Sequence, residues 1–181
     1  MILTTVIADP RLQALYRHWT DRRRGRALPS RADIDPLQIP ASVWPYTLLL
    51  DVLREDGHLR FRYRRTGEVF WRKQGIVEPR GRCVDEVLPE TGGYRQFVQD
   101  LNCELVARRR PIYSETFLSL RGHASRMHVR RISLPLSKDG AEVDMVLVGH
   151  VFECDDERLS RDYALSLVDG VEQGVRILLD D

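Results

Sequence analysis

The stretch from Thr47 to Gly75 limits the fold more than any other part of the chain. Thr47–Leu53 (TLLLDVL) is almost continuously apolar, the pattern of a strand covered on both faces. Glu55-Asp56-Gly57 supplies a tight turn, because glycine takes a positive φ at no steric cost. Leu59, Phe61 and Tyr63 then alternate with Arg60, Arg62 and Arg64, which places the apolar set on one face of a second strand. Gly67 breaks the alternation, and Val69, Phe70 and Trp71 follow in a compact segment.

A chain of 181 residues can build one good core and is short for two, so positions 1–181 are read as a single domain. Its 28 basic and 27 acidic residues leave a formal net charge of +1, too small for a general attraction to nucleic acid or anionic lipid. The run Arg22-Arg23-Arg24-Gly25-Arg26 fits cations at a helix C-terminus, and no nucleic-acid partner is expected. Cys83, Cys103 and Cys154 are odd in number and lack CxxC spacing, which favours a reducing compartment over a disulfide framework. The first residues have no basic leader pattern, and the apolar run Val143–Phe152 is about half a bilayer span. A cytoplasmic location without membrane contact is expected.

Asp9-Pro10 starts a helix over about residues 9–25, with Leu12, Leu15, Tyr16 and Trp19 on one stripe. The following LPSRADIDPLQIP holds three prolines, which exclude a long regular element; Asp35-Pro36 begins a single helical turn. Arg31, Asp33 and Asp35 are read as ties that hold this loop by caps and ion pairs. Tyr94, Phe97, Val98, Leu101, Leu105 and Val106 mark a long amphipathic helix ended before Pro111. Strands are expected over Ile112–Arg121, Met127–Leu136 and Val143–Phe152, with a bulge near Arg130-Arg131 where the apolar phase changes. A final helix is expected over about residues 160–179, striped by Tyr163, Leu167, Val171, Val175 and Leu178, with Ser166, Gly170 and Gly174 on a strip of small residues. This makes an α+β fold with a five-stranded antiparallel sheet. The two most apolar strands belong at its centre, giving the order 2-1-5-4-3, with helices on one face.

That order is the order of a PAS domain. The chain resembles a PAS-like family of short, single-domain alphaproteobacterial proteins. The resemblance is carried by Trp19, the segment Pro29-Ser30-Arg31-Ala32-Asp33-Ile34-Asp35-Pro36, Asp51-Val52, Phe61-Arg62-Tyr63-Arg64, Gly67 and Gly81-Arg82, and covers about Leu12–Phe152. Glu68 departs from it, since threonine usually follows the glycine in this family. The resemblance implies a sensory or interaction role, and it assigns Arg31, Asp33, Asp35, Pro36, Arg64 and Gly67 to the structural motif.

The cofactor stays unknown, and two kinds are disfavoured. Haem-binding PAS domains usually take a histidine from the long helix, and Thr91–Arg110 contains none. Flavin photosensors surround their cysteine with residues that Arg82, Val84 and Glu86 replace here around Cys83. No histidine spacing marks a metal site, and no GxSxG, GxxxxGK[ST] or GxGxxG is present, so an enzyme is not expected. The expected function is a sensory or regulatory module that binds a small ligand or a regulatory protein partner and signals through association. A ligand-free interaction adaptor and a small enzyme using the same cavity are the alternatives. Tyr63, Phe70, Trp71, Phe97 and Leu101 are candidates for the ligand pocket. Leu12, Leu15, Tyr16 and Trp19 are candidates for a homodimer interface, since an aromatic anchor often carries much of a contact's energy.

Overall fold

The structure, a computed structural model, describes residues 6–161 and 164–179. Helix α1 (Pro10–Arg23) leads through short helical turns at Arg31–Asp33, Pro36–Gln38 and Trp44–Tyr46 into the hairpin β1 (Thr47–Glu55) and β2 (His58–Thr66). Short helices α2 (Glu68–Lys73) and α3 (Val84–Val87) precede the long helix α4 (Tyr94–Arg108). Strands β3 (Ile112–Leu120), β4 (Arg126–Leu136) and β5 (Met145–Glu153) follow, then α5 (Glu157–Arg161) and β6 (Val168–Leu178). All strands join one antiparallel sheet in the order 2-1-5-4-3-6.

The hairpin turn is the two-residue kind whose twist suits antiparallel strands: Asp56 and Gly57 both have positive φ, 49° and 79°. Phe61 and Tyr63 are buried on one face while Arg62 and Arg64 are exposed on the other. The exposed pair converges on Asp51 of β1, at 3.0 and 2.9 Å. The two most apolar strands, β1 and β5, lie side by side in the middle of the sheet.

Two expectations about strands are corrected. No bulge occurs at Arg130-Arg131, where β4 runs in unbroken register against both neighbours. The apolar phase changes because this half of β4 is covered on both faces: Arg131 and Ser133 are buried on one side, Ile132 and Leu134 on the other. The register shifts instead between Leu49 and Leu50 in β1, and twice in β3 against β6. The second correction concerns the C-terminus. Residues 168–178 form a sixth strand beside β3, not the latter part of a helix, and the sheet is six-stranded rather than five-stranded. Gly170 and Gly174 are four apart, a spacing that repeats on a strand face as well as on a helix face. A Cβ on Gly174 would sit 3.2 Å from the Phe117 ring of β3, and one on Gly170 3.4 Å from Ser119. The β-branched Val168, Val171, Val175 and Ile177 suit a pleated surface. Tyr163 of the expected helical stripe lies outside the described residues.

Each face of the sheet has its own cover. On one face lies α4, burying Tyr94, Val98, Leu101, Asn102 and Leu105. It begins at Gly92-Gly93, both at positive φ, where a Cβ on Gly92 would come within 2.7 Å of the Asp169 backbone of β6. On the opposite face lie α1 and the proline-rich loop. Asp9 caps α1 by accepting the Arg11 N–H at 2.8 Å, with Pro10 at its first position. Trp19 donates its indole N–H to the Pro135 carbonyl at 2.8 Å. Gly149, at the centre of β5, makes the close approach possible: a Cβ there would stand 2.6 Å from Leu15 Cδ2 and 3.2 Å from Leu12 Cδ2.

In the loop, Asp33 accepts hydrogen bonds from the Ser30 N–H and hydroxyl and from Arg26, which hold its carboxyl down at about 2. Asp35 accepts the Leu37 N–H at 3.0 Å beside Pro36, and Arg31 donates to the Ile34 carbonyl. Gly67 closes the region, with its N–H on the Thr47 carbonyl at 2.7 Å. Its φ is −65°, so no left-handed backbone requires glycine here. Space does, since a Cβ would lie 2.1 Å from the Pro45 carbonyl oxygen.

The two close approaches differ in what opposes them, fixed backbone at Gly67 and the mobile ends of two leucines at Gly149. Gly67→Ala should therefore destabilise by about 1–3 kcal/mol or more, and Gly149→Ala by less. Denaturant titration of both variants checks this, and equal losses would show that the Pro45 backbone yields as readily as a side chain.

Candidate functional site

Strand alternation decides what reaches the space between the sheet and α4. Leu48 and Leu50 of β1, Tyr63 of β2, Arg131 and Ser133 of β4, and Val148 and His150 of β5 all face it. Phe70 of α2 and Val84 of α3 close one side; Tyr94, Val98 and Asn102 of α4 close the top. The cavity between them leaves about 20 Å³ open to the centre of a water molecule, room for one or two waters.

Its polar wall is Arg131. The side chain is only 4 % exposed. Its Nε–H donates to His150 Nε2 at 2.9 Å and an Nη2–H donates to the Tyr94 hydroxyl at 2.7 Å. The guanidinium carbon is 5.8 Å from the ring centres of both Tyr94 and Phe97, within cation–π range. Its Nη1 has no hydrogen-bond partner, and among the described residues no carboxylate pairs with it. Ser133 Oγ, fully buried two residues along the same face, also lacks a partner.

His150 must accept from Arg131 through Nε2, which requires the neutral imidazole. Burial, reinforced by the adjacent Arg131 charge, pushes its pKa well below the ordinary 6.5. The backbone of Tyr46 works against that shift without making a well-formed hydrogen bond to Nδ1. Phe70 lies 5.0 Å from the imidazole and Phe152 stacks on it at 5.6 Å, 6° from parallel. Burial raises the Tyr63 hydroxyl far above its ordinary value, with the neighbouring Tyr94 adding to the rise. Neither group changes protonation near neutrality.

Of the residues singled out from the sequence, Tyr63 and Phe70 line the cavity. Phe97 stands beside the Arg131 guanidinium, while Leu101 is packed in the core and Trp71 is half-buried under Arg72. Sequence reasoning missed Arg131, Ser133, His150, Tyr94 and Asn102. Signals for two of them were available: His150 lies inside the most apolar strand, and Arg131 has its parity toward the core.

The stripe Leu12, Leu15, Tyr16 and Trp19, expected at a subunit contact, is closed within the chain, with exposures of 0–3 %. The apolar sheet face formed by Ile132, Leu134 and Gly149 takes it up. These side chains therefore present no free surface to a second copy. Arg31, Asp33, Asp35 and Pro36 lie in the loop on that same face, Arg64 pairs with Asp51, and Gly67 lies at the Pro45 crossing. None of these reaches the cavity. Cys83, Asp85 and Glu86 bring possible ligand atoms within 4.8 Å of one another. Arg60 already fills that position, at 2.9 Å from Asp85 and 2.8 Å from Glu86. Burial raises the Cys83 thiol, which makes it a poor nucleophile.

The neutral state of His150 fixes how it acts on stability. An unfolded chain protonates this residue below about 6.5, whereas the folded chain does not, so folding is penalised increasingly as the pH falls below that value. His150→Gln keeps an acceptor for Arg131 and has no proton to take. Between about pH 7 and pH 5 the wild type should lose stability relative to this variant, by up to about 1.4 kcal/mol per pH unit. Parallel stability curves for the two proteins would mean that His150 takes up its proton in the fold as readily as in the unfolded chain.

A family model described as a PAS domain matches residues 7–70, which supports a PAS-like family. Neither the curated proteins nor the solved structures contain a match to this chain.

Proposed function

We propose that this PAS-like chain is a sensory or regulatory module whose core cavity takes a small ligand. PAS domains serve such roles in general, and the match over residues 7–70 spans α1, the proline-rich loop and the hairpin. The observation that carries the reading is the cavity under α4, where apolar walls surround a few converging polar groups that lack partners. An adaptor with a filled core would not need a buried arginine there. The enzymatic alternative needs a group able to exchange protons near neutral pH. His150 and Tyr63 are both shifted away from that range, which supports a non-enzymatic role.

A signal from this cavity has short routes outward. Arg131 joins β4 to α4 through Tyr94, and α4 abuts β6 through Gly92. Output by association with a regulatory protein or a second copy belongs to this reading. So does a cytoplasmic location, which the three free cysteines favour. No described helix is long and apolar enough to cross a membrane.

Native mass spectrometry of freshly purified protein, paired with a thermal-shift screen of small compounds, tests the proposal. A retained small molecule, or a saturable rise in Tm with one class of compound, is the expected outcome. A bare polypeptide that no compound stabilises would favour the ligand-free adaptor.

A further inference from the structure

We infer that the cavity is an anion site, in which Arg131 Nη1 and the Ser133 hydroxyl hold a monovalent anion of one to three heavy atoms, such as chloride or formate. The inference rests on the ligand-binding reading above and names the class of ligand.

Charge is the first argument. A guanidinium offers five N–H donors and stays ionised in proteins. Arg131 uses one donor on His150 and one on the Tyr94 hydroxyl, and neither acceptor is a carboxylate. Buried ions are ordinarily paired, because an isolated charge in an apolar interior is costly. Here the cation is 4 % exposed, no described carboxylate pairs with it, and Nη1 has no partner. An anion beside Nη1 would supply the missing counter-charge and accept its hydrogen bonds.

Geometry is the second. Arg131 and Ser133 are two residues apart on one strand, so both side chains leave the same face of β4. They stand opposite His150 and Val148 respectively. Ser133 Oγ is fully buried and unpartnered, and its O–H is free to turn toward the anion. Both donors line this one cavity, whose other polar lining among the described residues is hydroxyl, amide and imidazole (Tyr63, Tyr94, Asn102, His150), with no carboxylate.

The walls set the class. Leu48, Leu50, Val98 and Val148 make much of the wall apolar and no second Arg or Lys among the described residues lines it, so a strongly hydrated multivalent ion would lose more on desolvation than one guanidinium returns. Room for one or two waters admits a halide or a very small carboxylate and excludes a phosphate ester.

The test uses the intact protein, dialysed into a buffer whose only anions are bulky, such as gluconate. Sodium chloride and sodium formate are titrated separately at constant ionic strength, with Tm and excess ³⁵Cl line broadening as readouts. A saturable rise in Tm is expected with chloride, formate or both, together with ³⁵Cl broadening that formate reverses. The two arms distinguish a halide from a carboxylate site. Ser133→Ala should weaken the apparent affinity by roughly three- to tenfold, as for loss of one hydrogen bond. Arg131→Met should abolish the response. If Arg131→Met does not fold, the wild type and Ser133→Ala still decide. No anion dependence in the wild type would overturn the inference, as would an anion response equal in wild type and Ser133→Ala, which marks a surface effect. A neutral molecule retained in native mass spectrometry alongside an absent anion response would sink the anion site and leave the ligand-binding reading standing. No response to anions or to any neutral compound would remove both.

Discussion

The sheet is apolar on both faces around β4 and β5, and everything else in the fold answers to that. One layer of helices cannot cover two faces. The second cover is α1, and it can come down onto the sheet because Gly149 has no side chain where Leu12 and Leu15 press. Burying those leucines with Tyr16 and Trp19 removes a large apolar area from water, worth about 1.5–3 kcal/mol per large side chain. The proline-rich loop then has a surface to lie on, with Asp33 and Asp35 satisfying its backbone. With α1 spent in this way, the cavity and its polar wall are confined to the α4 side.

That confinement explains the character of the site. Covering both faces makes the middle of β4 dry in either direction, so any polar residue placed there is buried whichever way it points. Arg131 points toward α4 and is held by groups that cannot neutralise it. The low dielectric around it strengthens each bond it makes and raises the cost of each bond it lacks. The hydrogen-bonded pair spanning β4 and β5 is tied to α4 through Tyr94, and Nη1 is the one nitrogen of this guanidinium left without a partner among the described residues.

Much of the fold was legible because its signals were local. Asp56-Gly57 sets the hairpin, the alternation through Phe61 and Tyr63 sets its faces, and the apolar content of β1 and β5 makes them central neighbours. Two features were not legible, for definite reasons. Val171, Val175 and the glycines at 170 and 174 satisfy both a helical and a strand pattern; the decision came from the open edge of β3, which no local window contains. The change of phase in β4 looks like a bulge when one face is assumed wet, and the two covers remove that assumption. Arg131 was hidden by the same assumption, and His150 by the apolar company that buries it. The sequence pattern located Tyr63 and Phe70 near the cavity, but it could not supply the charge at its centre.

The sixth strand also gives the chain a history during synthesis. β6 pairs with β3, yet the ribosome makes it roughly fifty residues later, several seconds at ordinary elongation rates. Until β6 has been made and has emerged, the outer edge of β3 has no partner strand. An open edge is a template for another chain's strand. A nascent copy therefore passes through a stage in which its neighbour on the same message could occupy the place of β6, and arrival of Val168–Leu178 ends that exposure by closing the edge in cis.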